Sequence, residues 1–145
     1  MRPNLLPAIG LLSAAIIAFQ LVLMKVLSIV QWYHFAYMVI SVALLGFGAA
    51  GTFLSLFEKW LTARQERVMP LLCMFTAIGM ALTGGASQYG PIRFDLYLMF
   101  NDAAHAWRLP LTYLLFFLPF FTGALAIGMA FTLHVQQIGR VYFAN

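Results

Sequence analysis

In this chain of 145 residues, 63% are hydrophobic and only 8% are charged, whereas water-soluble domains run about 45–50% apolar and about 25% charged. So few polar residues cannot cover the surface that a chain of this size exposes to water, while lipid accepts apolar side chains. The net charge of +4 is dispersed rather than gathered on one face, which excludes nucleic acid as a partner and leaves the lipid bilayer.

The bilayer core is ~30 Å thick, so a spanning helix needs about 20 mostly apolar residues. The first such stretch runs from about Leu5 to Val30. It is longer than the ~7–15 residues of a signal-peptide core, so it reads as a retained span. Lys25 lies toward its end. Ionisable residues within the membrane are costly and tend to mark function or internal pairing. A long stem also lets such a lysine reach back to the headgroups. Gln20 lies five residues earlier, not quite on the same helix face.

Gln31-Trp32-Tyr33-His34 forms a tight hairpin into the second span, with its aromatics at headgroup level. That span runs from about Trp32 to Phe57 and contains Gly46-Phe47-Gly48-Ala49-Ala50-Gly51. The spacing matches G-x-G-x-x-G, but a dinucleotide fingerprint needs a preceding strand and a soluble βαβ unit. Within an apolar helix, Gly46, Gly48 and Gly51 instead make a smooth strip for close helix packing. Glu58 to Arg67 is the most charged piece of the chain and leads to the third span, about Val68 to Gly85. Cys73 sits in that apolar run as a small hydrophobe, and a single cysteine forms no intrachain disulfide.

A longer segment, Ala86 to Leu109, holds Arg93, Asp95, Asn101, Asp102, His105 and Arg108 among aromatics. Phe94 to Phe100 suits either a short interfacial helix or an ordered loop. Asp102 and His105, three residues apart, would share one helical face, where an acid can orient a proton carrier; no nucleophile accompanies them. The fourth span runs from about Pro110 to His134. Pro110 suits a first helical turn, and Pro119 inside the helix predicts a kink. Gly123 and Gly128, with Ala126 and Ala130, offer a second small-residue strip. His34, His105 and His134 fall in three separate connections, which is not the spacing of a metal site. No Walker loop, zinc spacing or hydrolase elbow occurs, and no cofactor is called for.

These features predict an all-α membrane protein with four transmembrane helices in a single domain, residues 1–145. The runs lack the polar alternation of barrel strands. With the N-terminus in the cytoplasm, Arg2, Lys59, Arg64, Arg67 and Arg140 lie inside, while Arg93 and Arg108 lie outside. The positive-inside rule therefore puts both termini in the cytoplasm of a multi-pass protein.

Three stretches resemble the membrane-anchored spermidine-synthase-like proteins of bacteria. Phe19 to Ser28 is similar to that family's first span, where an acidic and a basic residue sit five apart before a Leu-Ser; here Lys25 keeps the basic position and Gln20 replaces the acid. Leu44 to Gly51 resembles its glycine-rich second span. Leu118-Pro119-Phe120-Phe121, Gly123 to Gly128, and Ile138 to Asn145 resemble its kinked span and cytoplasmic exit. The resemblance implies the N-terminal part of a longer architecture in the bacterial inner membrane. There a multi-span transporter-like region precedes a cytosolic aminopropyltransferase-like domain that forms polyamines. No position here matches a catalytic residue of that domain.

The function expected from this resemblance is an integral-membrane anchor or transporter-like region that is not catalytic by itself. Its partners are lipid, other transmembrane helices and a cytosolic synthase-like domain. An accessory subunit of a larger membrane complex is the alternative. An oligomeric transporter of a small cationic solute is weaker, because no inverted repeat is visible.

Overall fold

The computed structural model describes residues 5–30, 34–88, 108–134, 139 and 142–143, and the regular structure among them is helical. Among the described residues there are four long helices: α1 (Leu5–Val30), α2 (His34–Ala63), α3 (Gln65–Gln88) and α4 (Arg108–Leu133). Each contains a stretch long and apolar enough to cross a membrane: Leu6–Ile29, Tyr37–Ala63, Gln65–Gly85 and Pro110–Leu133. The number of spans and the helical class agree with the sequence expectation. Helix is the outcome because hydrocarbon offers no partner to a free backbone N–H or C=O.

The helices alternate in direction. At one end Ile9 and Ala130 pack with Leu6, Met69 and Phe131, which joins the start of α1, the start of α3 and the end of α4. Toward the other end, Leu23 and Leu27 of α1 share a core with Met38 and Val39 of α2 and Phe116 of α4. α4 is the central helix. It packs most extensively on α2, then on α3, and also touches α1. Its inward residues Phe116, Phe120 and Met129 are fully buried. The outward faces remain apolar, with Leu21, Leu44, Leu56 and Leu82 exposed, as a lipid solvent permits.

Two boundaries differ from the sequence expectation. α2 runs on through the charged segment to Ala63, and α3 begins at Gln65. The helix bends once, at Phe57 (φ −113°, ψ 18°), and its last turn buries Leu61 while Glu58, Lys59 and Trp60 stay outside. Charged side chains are no obstacle to a helix once it reaches headgroup depth, so the apolar anchor Leu61 decides the path. The Arg64 carbonyl accepts the N–H groups of Arg67 (3.0 Å) and Val68 (3.0 Å), which starts α3 after a one-residue break. Glu66 in the first turn complements the positive end of the helix dipole.

The second difference is at Gly84 and Gly85, which do not close α3; the helix continues to Gln88. No described glycine has a positive φ. Glycine weakens a helix by about 1 kcal/mol in water, but near the bilayer breaking the backbone bonds costs more. The hairpin residues Gln31, Trp32 and Tyr33, the interfacial helix expected over 94–100, and Asp102 and His105 lie outside the described residues.

Candidate functional site

The residues singled out in the sequence fall into three groups. The first is the close-packed seam along α4. A Cβ placed on Gly46 would lie 2.8 Å from the Cβ of Phe120 and 3.1 Å from the backbone nitrogen of Phe121. The backbones of α2 and α4 therefore touch here because Gly46 has no side chain. On Gly123, a Cβ would meet Ile16 of α1 at 2.6 Å and Thr76 of α3 at 3.2 Å. On Gly128, it would meet Leu54 of α2 at 2.9 Å. Three of the five expected packing glycines thus join α4 to all three other helices, as small residues do in lipid.

Gly48 and Gly51 do not join this seam: nothing lies within 4 Å of a Cβ on either. Gly48 lies two residues past the buried Gly46, and Gly51 one residue past the buried Ala50, where the helix face has turned outward. Gly51 instead lines an apolar cleft of about 330 Å³ between α1, α2 and α4, walled by Ile17, Phe47 and Leu54.

Pro119 is fully buried, and α4 runs through it as one helix. Its ring faces α3 where Gly79 gives it room; a Cβ on Gly79 would lie 3.3 Å from the Pro119 Cβ. Beside it the hydroxyls of Thr76 and Thr122 are 2.9 Å apart, linking α3 to α4. Thr122 Oγ1 is also 2.9 Å from the Leu118 carbonyl, and Thr76 Oγ1 is 2.8 Å from that of Leu72. Both hydroxyl protons therefore have carbonyl or hydroxyl acceptors within the bundle. Gly79, Thr76 and Thr122 escaped the sequence reading. Their only signal is a small or hydroxylated residue at helical spacing, which many lipid-facing positions share. Thr76→Val is expected to cost about 0.6 kcal/mol, typical of interhelical hydrogen bonds in membranes, read as a lowered unfolding midpoint in mixed micelles. A loss several times larger would mean that the pair carries a wider network.

The second group is Gln20 and Lys25. Gln20 is half-buried and Lys25 is exposed on the outer face of α1. The Lys25 carbonyl accepts the Ser28 hydroxyl at 2.8 Å. Among the described residues the acids are Glu58 and Glu66, both at the opposite end of the bundle, so no ion pair forms with Lys25 there. Five residues from the end of α1, about 7.5 Å of rise, the ammonium is within reach of the headgroups along its own stem. Lys25→Leu is expected to change stability by less than about 0.5 kcal/mol. A thermal-melt loss beyond about 2 °C in detergent would instead reveal a partner, since ~1 kcal/mol shifts Tm by roughly 2–4 °C or more.

The third group lies where α3 starts and α4 ends. An open groove of about 460 Å³ has Gln65, Glu66 and His134 at its rim, and Met69, Pro70, Cys73 and Leu133 along its wall. His134 Nδ1 is 3.2 Å from the Ala130 carbonyl. Arg64 stacks 5.1 Å from the ring centroid of Trp60 nearby. No cluster of three or more His, Cys, Asp or Glu with metal-binding geometry occurs among the described residues. Lys59, Arg64 and Arg67, three of the four cations with described side chains, are at this end.

Comparison with protein-family models, with curated proteins and with solved structures gives no match.

Proposed function

We propose that this chain is a non-catalytic membrane anchor of the spermidine-synthase-like type, with its Lys59–Arg67 end in the cytoplasm beside a synthase-like domain that forms polyamines. One observation carries the anchor over the transporter. The buried polar side chains among the described residues are Ser13, Thr76, Thr83 and Thr112, all hydroxyls. A path for a cationic solute needs carboxylates or converging carbonyls at the midplane. Here the midplane is filled by Phe120, Ile16 and the glycine contacts of α4, which suits a rigid tether. The spermidine-synthase-like assignment rests on the Phe19–Ser28, Leu44–Gly51 and Leu118–Gly128 stretches. The bacterial inner membrane follows from that assignment.

The open face at Gly48 and Gly51 favours a second reading, an accessory subunit that packs against another chain. Intact mass of the native protein in mild detergent, with every co-purifying chain identified, separates the two. A species far heavier than 16.2 kDa that carries a synthase-like domain supports the anchor. A 16.2 kDa chain in fixed ratio with unrelated membrane proteins sinks it.

A further inference from the structure

We propose that Gln20 pairs with its counterpart in a second copy of this chain, making a parallel dimer through the α1 face that borders α2. Depth is the first reason. Gln20 lies 14 residues from the start and nine from the end of the apolar stretch Leu6–Ile29, about 21 and 14 Å along the helix at 1.5 Å per residue. Its two methylenes cannot carry the carboxamide to the headgroups, as the longer stem of Lys25 does for the ammonium. A carboxamide has two N–H donors and a carbonyl acceptor, and among the described residues none of them meets a partner. A polar group left so in hydrocarbon is costly, and phospholipid tails offer it neither donor nor acceptor. The group that satisfies it comes from another chain.

Position and self-complementarity select that chain. Gln20 is half-buried, so it is reached from the lipid side. Ser13, Ile16 and Ile17 form the α1 wall of the apolar cleft that Phe47 and Gly51 border on α2, and Gln20 follows them at the i, i+3, i+4, i+7 spacing of one helix face. Ile17 is 56% exposed at that cleft, so a facing helix finds both a ridge and a hollow to pack on. A second copy that crosses the bilayer in the same direction carries Gln20 at the same depth. Two carboxamides meeting across a two-fold axis each donate an N–H to the other's carbonyl oxygen. An unrelated chain would need a polar group placed at that depth independently. Lys25 is exposed about 140° around α1 from Gln20 and stays outside the contact. The dimer goes beyond the anchor reading, which neither requires nor forbids it.

The test uses the full chain in phosphatidylcholine vesicles, one half labelled with a donor and the other with an acceptor dye at Cys73, its single cysteine. Energy transfer is read as the protein is diluted with lipid. Wild type is expected to associate as a dimer. Gln20→Leu should weaken the association about tenfold, the effect of one interhelical hydrogen-bonded pair, with helical content by circular dichroism unchanged. Gln20→Asn keeps a self-complementary carboxamide and should stay within about threefold of wild type. Cross-linking supplies a check that leaves Gln20 in place. In a Cys73→Ser background, Ile17→Cys under copper phenanthroline should give a disulfide-linked species of twice 16.2 kDa, and Lys25→Cys should not. The proposal is overturned if wild type does not associate, if Gln20→Leu associates as tightly as wild type, if Gln20→Asn weakens association as much as Gln20→Leu, or if Lys25→Cys cross-links as readily as Ile17→Cys.

Discussion

Gly46→Val is expected to cost about 3 kcal/mol, the upper end of the overpacking range, and to be the most damaging single substitution in the bundle. The reason is what the new Cβ meets. It would stand 2.8 Å from the Phe120 Cβ, 3.1 Å from the Phe121 nitrogen and 3.2 Å from the Phe120 carbonyl carbon. All three belong to or adjoin the α4 backbone, so no rotamer change relieves the contact and the helices must separate. Separation also loosens the aromatic packing of Phe120 against Phe47, whose ring centroids are 6.5 Å apart. Gly123 differs in kind: its closest contact, 2.6 Å, is the flexible end of Ile16, which can move. The matched control is Gly48→Val. Open space surrounds that position, so the change is expected within about 0.5 kcal/mol of wild type. Reversible unfolding in mixed micelles, followed by circular dichroism, reads both. Equal losses at the two positions would contradict the α2–α4 seam.

The second large effect is Phe120→Ala, expected to cost about 2 kcal/mol. Phe120 is fully buried and lies 5.6 Å, centroid to centroid, from Phe19 of α1, as well as against Phe47 of α2. One side chain thus ties three helices. In water a buried Phe→Ala change costs about 3–5 kcal/mol, part of it transfer from water. In a bilayer the separated helices remain in hydrocarbon, so that part vanishes and the lost dispersion contacts remain. Leu118→Ala, two residues away on the lipid face and 46% exposed, is the control and should be near neutral. If lipid fills the cavity, the Phe120→Ala loss shrinks toward that of Leu118→Ala, and the measured difference reports the packing energy directly.

These expectations show how far residue type alone can reach. Gly46, Gly48 and Gly51 are indistinguishable as letters in a small-residue run. A helix rotates about 100° per residue, and only the placement of α4 decides that Gly46 faces it while Gly48 and Gly51 do not. Lys25 is similar. Its cost in hydrocarbon is evident from its chemistry, but whether it meets a partner depends on which way α1 is turned, and it is turned outward. The α3–α4 groove was invisible because its residues come from positions 65–73 and 133–134, brought together by the antiparallel return of the chain.

The sequence by itself determined that the described residues form four helices long and apolar enough to span a membrane, because an apolar run of some 20 residues in lipid can satisfy its backbone only as a helix. It also determined that Glu58–Arg67 would mark one end of the bundle, because charges are expelled from hydrocarbon. Only the tertiary structure decided that α4 is the centre, that Gly46, Gly123 and Gly128 carry the close contacts, and that α2 bends at Phe57 to tuck in Leu61. The physical reason is that lipid lets both faces of every helix be apolar. With no polar face to mark the outside, the rotation of each helix is set by shape complementarity between helices, which no single stretch of sequence contains.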